Sequence, residues 1–297
     1  MVQLRYKAMA KINLGLDVLR RRPDGYHEVK MVMQTVGIYD VLTMCRLDSD
    51  EIRVTTDKEE LPADESNLIY KAAKRMKETF GINGGVSVKL EKNIPIAAGM
   101  AGGSTDAAAA IFGMNELFEL GLTMEQMQQV GVKIGADVPY CLMGGTALSE
   151  GIGEILTKLP DVPDAWLVIA KPDINVSTKF VYENLHANTL QYHPDIDGMV
   201  EAIRSQDLYG ITDRMGNVLE TVTVKAYPII EEMKTFLKEQ GAVNALMSGS
   251  GPTVFGIFDK EETAKAAYDA MCGAGFTKQV FFTGFTHETC VKEGTEE

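Results

Sequence analysis

The chain has 297 residues, 45% of them apolar and 24% charged, with a formal net charge of −13. This is the composition of a soluble globular protein with a sizeable core, and the length suits two domains or one large one. The acidic balance argues against a nucleic-acid or anionic-membrane surface, since both would repel the average field, but not against an anionic small molecule that meets only its local site.

Cys45, Cys141, Cys272 and Cys290 form no CxxC pair and combine with none of His27, His186, His193 and His287 in a zinc spacing. A reduced, cytoplasmic setting is expected. Residues 1–11 carry no signal-peptide core, and no apolar run approaches the ~20 residues of a membrane span.

In chain order, the first third mixes short strand-like runs with loops. The basic run Arg20-Arg21-Arg22 reads either as a solvated loop or as local attraction for a phosphate. Residues 29–44 read as strand, turn and strand. The spacing of Leu68, Ile69, Ala72, Ala73, Met76 and Phe80 predicts a helix over 67–80, and Val86, Val88 and Leu90 alternate as a strand. A helix is expected over 104–118. Thr123 and Gln126 make a capping-box start for the next, which Gly135 should end as a left-handed cap. Gly144–Leu148 is a turn into a strand. Residues 158–165, with two prolines and two aspartates, mark the best domain boundary. Beyond it come a strand at 166–170, helices near 177–186, 196–209 and 227–240, strands at 243–247 and 253–258, a helix at 261–273 and a strand at 278–284. This order suggests an α+β sandwich with an antiparallel sheet. The polar ending, 291–297, is expected to fray.

The most informative segment is PIAAGMAGGSTDAA at 95–108. Glycines let the backbone come close to a ligand, and the alanine-rich helix that follows offers unpaired N–H groups and a positive dipole end, a combination suited to a triphosphate. A tight packing turn is the plain alternative. The spacing is neither GxxxxGK[ST] nor GxGxxG. A second glycine-rich segment, MSGSGPTVF at 247–255, is either a hairpin turn or the edge of a backbone-lined pocket.

With Lys11-Ile12-Asn13-Leu14 near the start, these three motifs in this order resemble the GHMP kinase superfamily over nearly the whole chain. The resemblance implies an α+β GHMP kinase fold. Residues 1–160 would be an ATP-phosphate-binding domain like ribosomal protein S5 domain 2. Residues 161–297 would be a ferredoxin-like α+β domain on the substrate side, with the active site in the cleft between the two. Within the superfamily, Ala10–Leu16, Arg22–Glu28, Asp64–Leu68 and Gly135–Pro139 are most similar to a kinase of the methylerythritol phosphate route to isoprenoid precursors. That implies ATP, Mg²⁺ and a small cytidine-diphosphate alcohol as substrate. No nucleic-acid or membrane partner is implied, and the chain would be a monomer or homodimer. Another GHMP-type small-molecule kinase, a diphosphomevalonate decarboxylase and a non-enzymatic nucleotide-binding protein are the competing readings.

The resemblance assigns roles by position. Lys11 and Asp137 would be catalytic: the carboxylate takes the proton of the attacking hydroxyl, and the lysine keeps it ionised and stabilises charge on the phosphoryl group. Their plain alternatives are a surface lysine and a helix N-cap ahead of Pro139. Pro95, Ala98, Gly99, Met100, Ala101, Gly102, Gly103, Ser104 and Thr105 would hold ATP phosphates, and Asn67, Leu68 and Lys92 the adenine. Asn13, Asp137, Gly249 and Ser250 would meet the substrate, and Tyr26, His27 and Tyr182 its cytosine. Phe180 competes with Tyr182 for the stacking role. Ser104 is the candidate metal ligand. Asp106 stands where some members carry asparagine, and its role stays open.

Overall fold

The computed structural model of the chain describes residues 2–296. Two long strands, β1 (Gln3–Arg21) and β2 (His27–Leu47), pair antiparallel along their whole lengths. The turn expected within 29–44 is absent, because β2 continues as one strand that leaves β5 as partner for β4 along its length. β3 (Ile52–Thr56), α1 (Leu68–Phe80) and β4 (Gly85–Glu91) form a parallel crossover unit. α2 (Gly102–Leu117), α3 (Met124–Gly131) and α4 (Val138–Met143) follow, then the hairpin β5 (Thr146–Gly151) and β6 (Ile155–Lys158). The second half runs β7 (Trp166–Lys171), α5 (Thr178–Asn184), α6 (Ile196–Arg204), α7 (Leu208–Asp213), β8 (Gly216–Asn217), α8 (Glu220–Ala226), α9 (Ile229–Glu239), β9 (Asn244–Met247), β10 (Val254–Phe258), α10 (Glu261–Gly273), β11 (Gln279–Gly284) and β12 (Cys290–Glu296).

Two sheets result. The larger has the order β12-β1-β2-β4-β3, with β5 and β6 continuing from β2 and β8 parallel to β1; the smaller, β11-β7-β10-β9, is antiparallel throughout. Of the polar ending expected to fray, residues 291–296 instead continue β12 and complete the edge of β1, and residue 297 lies outside the described residues. A single cut at residue 160 therefore does not separate the sheets, since β8 and β12 return to the first. α3 ends at Gly131, and Gly135 is not left-handed; the chain leaves the helix through turns closed by Ile134 and Gly135 N–H on the Gly131 carbonyl.

The burial pattern of β1 shows how the hairpin serves two cores. Leu4, Tyr6 and Ala8 face the core shared with α1 and α2, Ala10, Ile12 and Leu14 face the core of the smaller sheet, and Leu16 and Val18 face the first core again. The face switches where the register with β2 slips, between Met9 and Ala10 and between Asn13 and Gly15. The first slip leaves Gly37 and Ile38 of β2 without partners on β1, the second leaves Leu14 of β1 without one on β2, and at both the side chains of β1 change faces. α2 lies close on this sheet because Ala107–Ala110 are fully buried small residues. Gly113 allows the closest approach, as a Cβ there would fall 2.3 Å from Met44 Sδ. Each large apolar side chain buried in this way contributes about 1.5–3 kcal/mol.

Candidate active site

A cleft of about 960 Å³ opens at the N-terminus of α2 and is lined by β1, β2, the 95–104 segment, α5 and the 249–250 turn. The two register slips in β1 aim Lys11 and Asn13 into it. By simple alternation from Arg5 and Lys7 both would point outward; the slip after Met9 turns them toward α2.

Lys11 is nearly buried, with Nζ 3.8 Å from Asp137 Oδ2 and donating to Asn13 Oδ1 at 2.7 Å. Its backbone N–H bonds the Met100 carbonyl, which ties β1 to the glycine-rich segment. Asp137 stands at the start of α4, ahead of Pro139, yet among the described residues its side chain makes no capping bond. The carboxylate is left for the cleft. A Cβ on Gly135 would lie 3.9 Å from Ser104 Oγ, so the Asp137 segment borders the mouth of α2.

The 95–104 segment has alternating left-handed residues, Ala97 at φ 52°, Gly99 at φ 71° and Ala101 at φ 56°. Two alanines in this region cost of order 1 kcal/mol each, a strain that clusters at ligand sites. Such alternation turns successive N–H groups toward one concavity and favours an anion. Ala101 is the N-cap of α2 and has no side-chain acceptor to offer, so the first helical N–H groups have no partner among the described residues and border the cleft. Gly99 is required by packing as well, because a Cβ there would come within 2.2 Å of the Ser248 carbonyl oxygen. Ser248 Oγ donates to the Gly99 carbonyl at 2.9 Å, locking the two glycine-rich segments together.

Not every expected residue presents its side chain. Met100 packs into the core of the smaller sheet, and the Thr105 hydroxyl is buried without a partner among the described residues. Lys92 lines the cleft, but its ammonium is buried between Asp40 and Asp106 Oδ2, the latter at 2.6 Å. Burial pulls the Lys92 pKa down, and the charges of Asp106 and Asp40 more than reverse this, leaving it raised. Burial pushes the Asp106 carboxyl well above the usual range, with Lys92 opposing and Asp40 adding to the rise. Asn67 caps α1, accepting from Ile69 N–H at 2.8 Å, and Leu68 packs over Gly103.

Across the cleft, the rings of His27 and Tyr182 lie 5.1 Å apart and tilted by 38°. Phe180, 41% exposed, is outside the cleft, which leaves Tyr182 as the aromatic of α5 that faces it. Tyr26 is exposed on the rim. Burial, then the nearby Arg21 charge, lowers the His27 pKa from 6.5. The ring is therefore neutral at pH 7 and can both donate and accept hydrogen bonds. An NMR titration is expected to find the His27 midpoint below 6.5, and Arg21→Gln to move it upward; a midpoint at or above 6.5 in the unaltered chain would contradict the packing described.

Sequence reasoning missed two residues that shape the site. Asp40 accepts from Lys92 and from the N–H groups of Asn93 (2.6 Å) and Ile94 (2.8 Å), fixing the start of the glycine-rich segment. Asn217 donates to the carbonyls of Met247 and Gly249, both at 2.8 Å, and holds the second segment. Neither residue lies in a motif, and no local signal marks them. Among the described residues no group of three His, Cys, Asp or Glu could hold a metal ion.

Residues 67–145 match the GHMP kinases N terminal domain and residues 199–276 the GHMP kinases C terminal domain. The chain is similar to the 4-diphosphocytidyl-2-C-methyl-D-erythritol kinase of Lachnospira eligens, with 56% identity over 95% of this chain and 98% of that one. It is similar to a crystal structure of 4-(cytidine 5'-diphospho)-2C-methyl-D-erythritol kinase, with TM-score 0.80 and 30% identity over 97% of this chain and 100% of the other. Homoserine kinase from Cytophaga hutchinsonii shares the fold at TM-score 0.80, with 20% identity over 98% and 97% of the two chains.

Proposed function

The chain belongs to the GHMP kinases, in the family of 4-diphosphocytidyl-2-C-methyl-D-erythritol kinases, and from this premise we propose that it moves the γ-phosphoryl group of ATP to the 2-hydroxyl of 4-diphosphocytidyl-2-C-methyl-D-erythritol. It is an ATP-dependent kinase of the methylerythritol phosphate route to isoprenoid precursors.

The observation that carries the mechanism is the Lys11–Asp137 pair, 3.8 Å apart, at the mouth of an uncapped helix. ATP phosphates are held by the α2 N–H groups and the left-handed segment before them. The acceptor hydroxyl meets Asp137, which takes its proton as the oxygen attacks. Lys11 offsets negative charge on the transferring group, and Asn13 fixes the ammonium. His27 and Tyr182 receive the cytosine, one by hydrogen bonds and the other by its ring face.

A hard divalent cation that keeps waters and leans on phosphates needs only one or two protein oxygens. The Ser104 hydroxyl and Asp106 Oδ1, buried without a partner among the described residues, fit that need and would hold Mg²⁺. When bound, the ion supplies charge neutralisation between the phosphates.

A coupled assay is expected to show ATP consumption with 4-diphosphocytidyl-2-C-methyl-D-erythritol and not with homoserine or mevalonate. Turnover with either of those alcohols, and none with the cytidyl alcohol, rejects the reading.

A further inference from the structure

The three arginines at the end of β1 diverge. Arg20 pairs with Glu28 at 2.5 Å and Arg22 with Asp24 at 3.1 Å. Arg21 points into the cleft, a consequence of the third register slip of β1, between Val18 and Arg20. Its cross-strand partner is His27, whose ring meets Tyr182.

The other lysines and arginines of the cleft are compensated. Lys11 has Asp137 at 3.8 Å, Lys92 has Asp106 at 2.6 Å, and Lys179 has Glu183 at 3.8 Å. Among the described residues Arg21 alone of these cleft-lining cations has no carboxylate within ion-pair distance. An uncompensated charge in a chain of net charge −13 gives an anion a local reason to enter. The ATP phosphates have their own site at α2, whereas Arg21 stands at the His27–Tyr182 end.

Resting on the function above, we propose that Arg21 is the specificity-determining contact for the diphosphate of the acceptor substrate. The guanidinium fork matches two phosphate oxygens at once, which an ammonium cannot do. Binding there draws the cytidyl substrate in by charge while His27 and Tyr182 select its base.

The test is Arg21→Gln, an exposed substitution that leaves folding intact. The KM for the cytidyl alcohol is expected to rise by about ten- to a hundredfold, with kcat and the KM for ATP within about twofold. Arg21→Lys should recover part of the loss, and Arg20→Gln should change none of the constants. Calorimetry with CDP and cytidine separates phosphate from base. The unaltered chain should bind CDP more tightly, and Arg21→Gln should erase that preference while leaving cytidine unchanged. Equal weakening of both ligands, or an unchanged acceptor KM, overturns the proposal. If the unaltered enzyme fails to turn over the cytidyl alcohol, the functional reading falls instead, and the CDP preference still judges Arg21.

Discussion

Asp137→Asn is expected to lower kcat by about 10²–10⁴ and to leave ATP affinity nearly unchanged. The amide has the same shape but cannot take the hydroxyl proton at neutral pH. The helix behind it should not suffer, because among the described residues the Asp137 side chain makes no capping bond to α4. Lys11 loses its counterion but keeps the Asn13 Oδ1 acceptor at 2.7 Å, so the ammonium stays in place. Asp137 is one-third exposed, which limits what the lost ion pair costs in stability. Single-turnover kinetics beside an equilibrium ATP titration distinguish the outcomes. A parallel fall in rate and ATP affinity would mean that Asp137 shapes the nucleotide site, and the division of labour between α2 and the Lys11–Asp137 pair would be wrong.

Lys92→Met should be the most destabilising single change near the cleft. The methionine fills the same volume but leaves Asp40 and Asp106 facing each other with no cation, both almost fully buried. Breaking one partner out of a buried ionic cluster costs about 3–5 kcal/mol, which lowers Tm by on the order of 10 °C in a chain of this size. The pH dependence has a definite sign. The Asp106 carboxyl is already raised in the folded protein by burial, and without Lys92 it rises further. A carboxyl whose folded pKa exceeds its unfolded value penalises the fold fully above the folded pKa, and the penalty fades as pH falls toward the unfolded value. The gap between Lys92→Met and the unaltered chain therefore widens from acidic to alkaline pH. Urea melts at pH 5.5 and 8 check this, and equal stability of the two proteins at pH 8 would show that the cluster is not electrostatically coupled.

The same cluster bears on binding. Asp40 holds the N–H groups of Asn93 and Ile94, just ahead of the glycine-rich segment, as well as Lys92, so the anion site is anchored from β2 as well as from its own turn. These bonds anchor the approach to a segment that carries two left-handed alanines, Ala97 and Ala101. Preorganised N–H groups do not have to be ordered by the phosphate they receive.

The sequence by itself determined the motifs and their chemistry. The glycine-rich run before an alanine helix reads from local conformational preference as an anion site or a tight packing turn, and the helix at 68–80 follows from periodicity. Lys11, Asp137, His27 and Ser104 were legible because they lie in motifs of a recognisable family. Only the tertiary structure decided which way these groups point. Alternation along β1 from Arg5 and Lys7 would send Lys11 and Asn13 to the outer face, and three slips of register against β2 reverse that face and later turn Arg21 into the cleft. A slip is set by pairing with a distant strand, so nothing in the residues near Lys11 announces it. The same holds for the buried Lys92, for Asp40 and Asn217, and for β12, whose polar sequence forms a strand because β1 offers an open edge. Local chemistry is written in neighbouring residues, whereas orientation and burial depend on partners far along the chain.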